Sequence, residues 1–80
     1  MITVRVRLYA TLRRYRPEVK LGESLPMELP EGGTVGQLIK QLGIPAEVVK
    51  NIFVNHRQQG REYVLQAGDE VAIFPPVAGG

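Results

Sequence analysis

The sequence predicts an α+β domain in which a mixed sheet of four or five strands packs one face against a single main helix. Three observations support this prediction: an alternating strand opens the chain, a capped helix follows Gly32–Gly33, and a β-branched strand precedes two prolines. Eighty residues form one domain, predicted over residues 1–74, with a flexible Gly-Gly tail over 75–80. Because one helix covers one face of such a sheet, the other face meets solvent or a partner.

The first strand is predicted from "ITVRVRLY", where apolar and polar residues alternate with a period of two. One face therefore turns to the core and the other to the surface. The inward face holds Ile2, Val4, Val6 and Leu8, and the outward face holds Thr3, Arg5, Arg7 and Tyr9. The next segment, "ATLRRY", is predicted as a short helix that ends before Pro17, because the residue before a proline disfavours the helical conformation.

A second strand is predicted where Leu25, Met27 and Leu29 alternate with other residues. Pro26 interrupts this segment and has no N–H group to donate to a neighbouring strand. The second strand is therefore expected to be short or to lie at an edge of the sheet.

The main helix has the clearest signals in the chain. Thr34 is a candidate N-cap, and Gln37 three residues later completes a capping box. Gly43 is placed to end the helix in a left-handed conformation. The apolar residues between these caps have the spacing of one buried stripe: Val35, Leu38, Ile39 and Leu42.

The second half of the chain supplies the remaining strands. "PAEVV" is predicted as one further turn, "NIFVN" as a buried strand, "HRQQG" as a polar turn, and "REYVL" as either a short edge strand or irregular. "QAGDE" is predicted as a turn around Gly68. The last strand, "VAIF", points Val71 and Ile73 inward and Ala72 and Phe74 outward. Both the first and last strands suit interior positions, and the whole order favours a β-grasp sheet.

The composition excludes several kinds of site. Cysteine is absent, which removes disulfides, thiolate metal ligands and a cysteine nucleophile. The single histidine, His56, cannot form a metal cluster by itself and is predicted as an exposed turn residue. No apolar run approaches the ~20 residues that span a membrane, and no secretory signal opens the chain. We therefore expect a cytoplasmic protein that binds no metal and no membrane.

The charge is distributed unevenly along the chain. Residues 1–20 contain six basic residues and one acid, a net charge of +5, whereas the remainder has a net charge of −3. A basic end can bind nucleic acid or an acidic protein surface, or can simply be solvated. Because no basic motif interleaved with aromatic residues is present, we expect protein docking or solvation rather than nucleic-acid binding.

The sequence lacks a catalytic set. "LPEGGTVGQ" places glycines before a helix but has no lysine for a nucleotide phosphate, so it is predicted as a turn and cap. Ser24 is the only serine and has no suitably placed histidine. The carboxylates are spread over predicted surface positions, and Asp69–Glu70 is predicted as a turn. The chain is therefore expected to be non-catalytic and to bind no cofactor.

The C-terminal "FPPVAGG" is the segment that an ordinary last strand does not need. Pro75 and Pro76 favour an extended conformation that projects the chain away from the sheet. The four residues after them reach at most about 13–14 Å. Gly79 and Gly80 have no Cβ and can enter a narrow channel. This tail is predicted to deliver its terminal carboxylate into a partner, which would activate it with ATP as an acyl-adenylate.

Two aromatic residues are predicted near the start of this tail. Tyr9 and Phe74 have the same outward orientation at the ends of two strands that are expected to be neighbours. One interpretation is an exposed apolar patch that docks a partner. The alternative is that they are two ordinary surface aromatics.

Four segments resemble the MoaD/ThiS sulfur-carrier family, and "AGDEVAIFPPVAGG" (67–80) is the most specific of them, close to the ending of the MoaD branch. Weaker similarity extends over "VRLYATLRRY" (6–15), "GTVGQLIKQL" (33–42) and "IFVNHR" (52–57). Residues 16–33 have no distinctive family motif, which leaves open a divergent member with another sulfur acceptor.

The resemblance implies a ubiquitin-like β-grasp fold and a non-catalytic carrier. It implies that an E1-like adenylating enzyme of the MoeB/ThiF type uses ATP to activate Gly80, which then carries sulfur as a thiocarboxylate. The large subunit of molybdopterin synthase is implied as the second partner. Gly79 would give access, and the implied partner-binding residues are Phe74, Pro75, Pro76, Val77 and Ala78, with Tyr9 beside them.

Three other functions are compatible with the residues. A ubiquitin-like modifier would use the same adenylated Gly80 to form an isopeptide bond with a lysine, and a ThiS-type carrier would serve thiamine or another acceptor. A third alternative is a β-grasp binding module, for example for RNA, in which the tail has no role. That module would bind with a steep salt dependence and would tolerate loss of Gly79 and Gly80.

Overall fold

A computed structural model describes residues 1–20 and 22–76 of the chain. The elements in chain order are β1 (Ile2–Leu8), a 3₁₀ helix (Ala10–Tyr15), β2 (Leu25–Leu29), α1 (Val35–Leu42), a second 3₁₀ helix (Ala46–Val48), β3 (Asn51–Val54), β4 (Arg57–Gln58) and β5 (Glu70–Phe74). The strands form one sheet in the order β2-β1-β5-β3-β4. β1 and β5 are parallel, and the other neighbouring pairs are antiparallel.

The strand positions follow from the sequence patterns described above. β1 and β5 occupy interior positions, as predicted, and β2 with its Pro26 lies at an edge. In the pair β1–β5, Val6 is the register partner of Val71, so the buried side chains of the two strands lie side by side. The predicted mixed sheet of four to five strands is therefore confirmed with five strands.

The core lies between one face of this sheet and α1. Leu38 and Val6 are almost fully buried, at 0% and 1% exposure, which confirms the predicted register of both elements. Ile2 and Leu8 are partly buried and pack at the margin of the cluster. The buried cluster contains Val4, Val6, Leu12, Leu29, Val35, Leu38, Ile39, Leu42, Ile44, Val49, Ile52, Val54, Leu65, Val71 and Ile73.

Both ends of α1 are capped as predicted. The backbone N–H of Gln37 donates to Oγ1 of Thr34 at 3.2 Å, and the N–H of Thr34 donates to Oε1 of Gln37 at 2.8 Å. Gly43 follows the helix at φ 78°, a left-handed conformation that a residue without Cβ adopts at little cost. These caps satisfy backbone groups that the helix leaves without partners at its ends.

The segment after β3 differs from the prediction. The turn is formed by Asn55 and His56 alone, at φ 51° and 71°, and β4 (Arg57–Gln58) pairs with β3 immediately afterwards. The predicted turn "HRQQG" therefore contains a short strand. Two successive positive φ values are typical of the tight turns that match the twist of a β-hairpin. His56 is exposed in this turn, as predicted.

"REYVL" takes the irregular form of the two that were predicted. Within the described residues its only strand-like pairing is a single bridge between Val64 and Thr34. Arg61 anchors the start of the segment, because its guanidinium donates to the carbonyl oxygens of Ala46 and Val49 at 2.9 and 3.0 Å. The short additional strand of the sheet is therefore β4 (Arg57–Gln58) and not "REYVL".

Asp69 is buried, at 8% exposure, and the predicted surface position was wrong. Its carboxylate accepts hydrogen bonds from the side-chain amide of Asn55 at 2.9 Å and from the backbone N–H of Gln66 at 2.8 Å. Asn55 also accepts from the N–H of Glu70 at 3.0 Å. The Asn55–Asp69 pair therefore ties the β3–β4 turn to the start of β5.

Candidate protein-docking site

We call the sheet face that packs on α1 the inner face and the opposite face the open face. The open face carries a cluster of three aromatic side chains near the C-terminal end of β5. Tyr9 and Phe74 stack with their ring centroids 4.4 Å apart and their planes at 10°. Phe53 contacts Phe74 edge-on at a centroid distance of 5.7 Å. All three are partly exposed. We refer to Tyr9, Phe53 and Phe74 as the aromatic cluster.

The strand register brings these residues together. The N–H of Tyr9 donates to the carbonyl oxygen of Ile73 at 3.2 Å, which holds Tyr9 beside the end of β5. Phe53 lies on β3 as the register partner of Ala72, two residues before Phe74. Ala10, directly after Tyr9, has φ 54°, so the chain turns sharply out of β1 at this point.

The tail leaves the domain at this cluster. The N–H of Lys50 donates to the carbonyl oxygen of Phe74 at 2.8 Å, which is the last pairing of β5 on this side. Pro75 and Pro76 then line a groove of about 390 Å³ together with Phe53, Phe74 and Ala10. A partner that binds the aromatic cluster therefore lies at the start of the tail.

A second depression, of about 400 Å³, adjoins the cluster on the same sheet face. Its floor is Ala72, which lies in a row across the sheet between Arg7 on β1 and Phe53 on β3. A small side chain between two long ones leaves a gap, which we call the Ala72 notch, defined by Arg7, Ala72 and Phe53. The rim also includes Arg5, Glu70 and His56.

The electrostatics of this face are mixed. Arg5 and Glu70 are register partners on neighbouring strands, and the Arg5 guanidinium is directed to Oγ of Ser24 at 3.4 Å. Arg7 lies next to the uncharged Ala72 and is exposed. Arginine side chains of this kind attract an acidic partner and raise its association rate.

The predicted site residues divide into two groups. Tyr9, Phe74, Pro75 and Pro76 lie together at one end of the open face. The others, Val77, Ala78, Gly79 and Gly80, lie outside the described residues, and their roles stay predictions.

Phe53 was missed as part of the cluster, because it was assigned only to a buried strand. The signal was present, since "NIFVN" places Phe53 at the outward position between Ile52 and Val54.

The carboxylate and histidine side chains of the described residues 1–20 and 22–76 are dispersed. These residues contain no group of three histidine, aspartate or glutamate side chains placed to hold a metal ion. Asp69, the buried carboxylate, is engaged with Asn55 and Gln66. Within the same residues, no helix has the length and hydropathy to cross a membrane.

The sequence matches one known protein family over nearly its whole length. A family model described as the ThiS family matches residues 6–80. No curated protein matches the sequence. The family match begins inside β1 and includes the other four strands and the residues beyond Pro76.

Solved structures share the fold over the full length. A Pyrococcus furiosus protein described as "putative molybdopterin converting factor, subunit 1" is 30% identical, with a TM-score of 0.77, covering 96% of this chain and 100% of its own. The small archaeal modifier protein 1 from Methanosarcina acetivorans is 27% identical, with a TM-score of 0.70 and coverage of 100% and 98%. Ubiquitin from Caldiarchaeum subterraneum, 15% identical with a TM-score of 0.60 and coverage of 99% and 98%, supports the fold alone. The predicted ubiquitin-like β-grasp fold is confirmed.

Proposed function

Because the chain belongs to the ThiS family of ubiquitin-like sulfur carriers, we propose that it carries sulfur on the carboxyl group of Gly80 for molybdopterin synthesis. The observation that carries the proposal is the family match, which continues through residue 80. The mixed sheet with its single helix is the scaffold, and the aromatic cluster marks where the tail departs. In this proposal the chain supplies the reactive carboxyl, and its partners supply the catalysis.

The chemistry proceeds in two steps. The Gly80 carboxylate attacks the α-phosphate of ATP on an E1-like adenylating enzyme of the MoeB/ThiF type, and pyrophosphate leaves. Sulfide supplied by a donor then attacks the acyl carbon; the C–S bond forms as the C–O bond to AMP breaks, AMP leaves, and loss of the sulfur-bound proton gives the thiocarboxylate. The adenylate is needed because a free carboxylate is a poor electrophile. ATP belongs to the partner's site and is not a resident cofactor of this chain.

The described residues contribute position rather than chemistry. Docking through the aromatic cluster fixes the start of the tail on the partner. The four residues after Pro76 then reach at most about 13–14 Å to the adenylation site. Since a displacement of about 1 Å can lower a rate about a hundredfold, the distance from the cluster to Gly80 must match the partner.

The choice of molybdopterin rests on two similarities. The ending "FPPVAGG" resembles that of the MoaD branch, and the Pyrococcus furiosus relative is described as a molybdopterin converting factor subunit. On this proposal the thiocarboxylate docks on the large subunit of molybdopterin synthase and donates its sulfur to the pterin precursor. A thiamine precursor is the alternative acceptor, and a sulfur-transfer assay should compare it with the pterin precursor.

Intact-mass analysis tests the proposal directly. The chain is incubated with the adenylating enzyme of the same organism, ATP and a sulfur donor. We expect a gain equal to the mass difference of sulfur over oxygen, localised to Gly80. Deleting Gly80, or adding one residue after it, should abolish the gain and leave the melting temperature unchanged. A control chain with one residue added before Met1 should react normally, and full reaction of the C-terminally extended chain contradicts the proposal.

A protein modifier is the second candidate function, and the similarity to small archaeal modifier protein 1 favours it. The adenylated Gly80 would then react with a lysine amine, and AMP would leave with formation of an isopeptide bond. The same incubation distinguishes the two functions when cell extract is added. Adducts joined to lysine side chains support the modifier, and a thiocarboxylate without adducts supports the sulfur carrier.

A further inference from the structure

The Ala72 notch lies where one short side chain stands between two long ones on the open face. Arg7, Ala72 and Phe53 follow one another across β1, β5 and β3 as register partners. The two flanking side chains are long, and the central one ends at Cβ. The result is the depression of about 400 Å³ on the open face, next to the aromatic cluster.

The two walls of the notch differ in chemistry. Phe53 presents an aromatic ring that is held edge-on against Phe74. Arg7 presents a guanidinium. Among the described residues, the arginine side chains that donate hydrogen bonds are those of Arg5, Arg16 and Arg61, so the Arg7 guanidinium donates none to another described residue. One wall is therefore apolar, and the opposite wall has donor groups available for an acceptor from outside.

We infer that the Ala72 notch receives a carboxylate-bearing side chain, aspartate or glutamate, from the adenylating partner, and so contributes to partner selection. The methylene stem of that side chain packs on Ala72 and Phe53, and its carboxylate accepts hydrogen bonds from Arg7. Arginine pairs with carboxylates in a two-bond geometry that adds orientation as well as energy. This inference rests on the proposed function.

The charge distribution favours a single carboxylate over a nucleic-acid backbone. A phosphate backbone is neutralised by several cations along its path. Here Glu70 stands on the rim beside Arg5, and Ser24 accepts from the Arg5 guanidinium. A continuous anion would meet Glu70, whereas one side chain entering beside Arg7 would not.

The experiment compares binding of the wild-type chain and its variants to the adenylating enzyme of the same organism. Ala72→Leu fills the notch, and Ala67→Leu adds the same atoms at an exposed turn as a control. We expect the dissociation constant of Ala72→Leu to rise about tenfold or more and that of Ala67→Leu to change less than about twofold. Melting temperatures are measured in parallel to establish that both variants fold.

Charge variants test the carboxylate itself. Arg7→Gln should weaken binding about tenfold at low salt, with a smaller difference at high salt, because screening removes the charge contribution. Arg7→Lys should retain most of the salt dependence. Arg14→Gln removes an exposed positive charge outside the notch and should change the dissociation constant less than about twofold.

The outcomes separate this inference from the proposed function. If the wild-type chain is activated and both Ala72→Leu and Arg7→Gln bind as well as it does, the inference is wrong and the proposed function stands. If the wild-type chain neither binds nor reacts, the proposed function fails and the inference fails with it. Salt-dependent binding of a single-stranded RNA oligonucleotide that Arg7→Gln abolishes, or a dimer in sedimentation that Ala72→Leu dissociates, would replace the carboxylate by another occupant and overturn the inference.

Discussion

The two faces of the sheet are built from the same strands but have different chemical tasks. On β5, Val71 and Ile73 are almost fully buried, whereas Ala72 and Phe74 between and after them are partly exposed. On β1, buried Val6 alternates with exposed Arg7. The inner face consists of apolar side chains that pack under α1, and the open face combines aromatic, cationic and small side chains.

This difference determines how strongly each face is specified. A one-residue shift of β1 would turn Arg5 and Arg7 into the core, and the same shift of β5 would turn in Glu70, so the inner face fixes the register. The open face makes no such demand, and its residues are available for contacts with another protein. Variants on the inner face should therefore change the free energy of unfolding, and variants on the open face should change affinity for the partner.

Leu38→Ala should produce the largest effect and should act on the inner face alone. Leu38 is fully buried between α1 and the sheet, so truncation removes apolar burial and leaves a cavity. We expect a loss of about 2–5 kcal/mol in the free energy of unfolding, measured by urea denaturation. Leu38→Met keeps most of the volume and should cost less than about 1.5 kcal/mol. Equal losses in the two variants would indicate that volume at this position is unimportant.

Most of the inner face could be predicted from the sequence because its signals are local. The alternation in β1 and the Thr34–Gln37 capping box each lie within eight residues, and both are present in the structure. β4 was missed for the opposite reason: Arg57 and Gln58 are polar, and only their pairing with β3 makes them a strand. The hairpin turn has histidine at a positive φ where glycine is the usual signal.

The open face was only partly predictable because its site combines three strands. The outward orientation of Tyr9 and Phe74 followed from alternation, and the stack confirms that they are neighbours. The positions of Phe53 and Ala72 depend on the β3–β5 register, which no local pattern determines. Buried Asp69 was missed because its hydrogen-bond partner Asn55 is 14 residues away in sequence.

Asn55→Ala should give the next largest effect, at the turn between β3 and β4 that is hydrogen-bonded to the start of β5. The substitution removes the amide that donates to buried Asp69 and accepts from Glu70. A buried acceptor that loses a partner costs about 1–3 kcal/mol, and we expect a loss of that size in chemical denaturation. Asn55→Gly tolerates φ 51° better than alanine, so comparing the two separates backbone strain from the lost hydrogen bonds. No loss in either variant would contradict the role assigned to the pair.

Phe74→Ala tests the open face. Phe74 contacts both Tyr9 and Phe53, and we expect affinity for the adenylating enzyme to fall by about 1–3 kcal/mol. Loss of the aromatic contacts should lower the free energy of unfolding by about 1 kcal/mol. Affinity is measured by titration and stability by thermal melting. Val64→Ala, at an exposed apolar position outside the cluster, is the control. A large stability loss with unchanged affinity would make Phe74 a structural residue.

Thr34→Ala should give the smallest of these effects and should leave the open face untouched. The Thr34 hydroxyl caps α1 by accepting the N–H of Gln37 at 3.2 Å, and the buried stripe of α1 belongs to the core under the inner face of the sheet. Removing such a cap costs about 1 kcal/mol, and Thr34→Ser, which keeps the oxygen, should cost little. Denaturation should therefore separate alanine from serine, while both variants bind the adenylating enzyme with wild-type affinity. If Thr34→Ala weakens binding as much as Phe74→Ala does, the two faces are coupled through the core, and stability and docking cannot be assigned to separate faces.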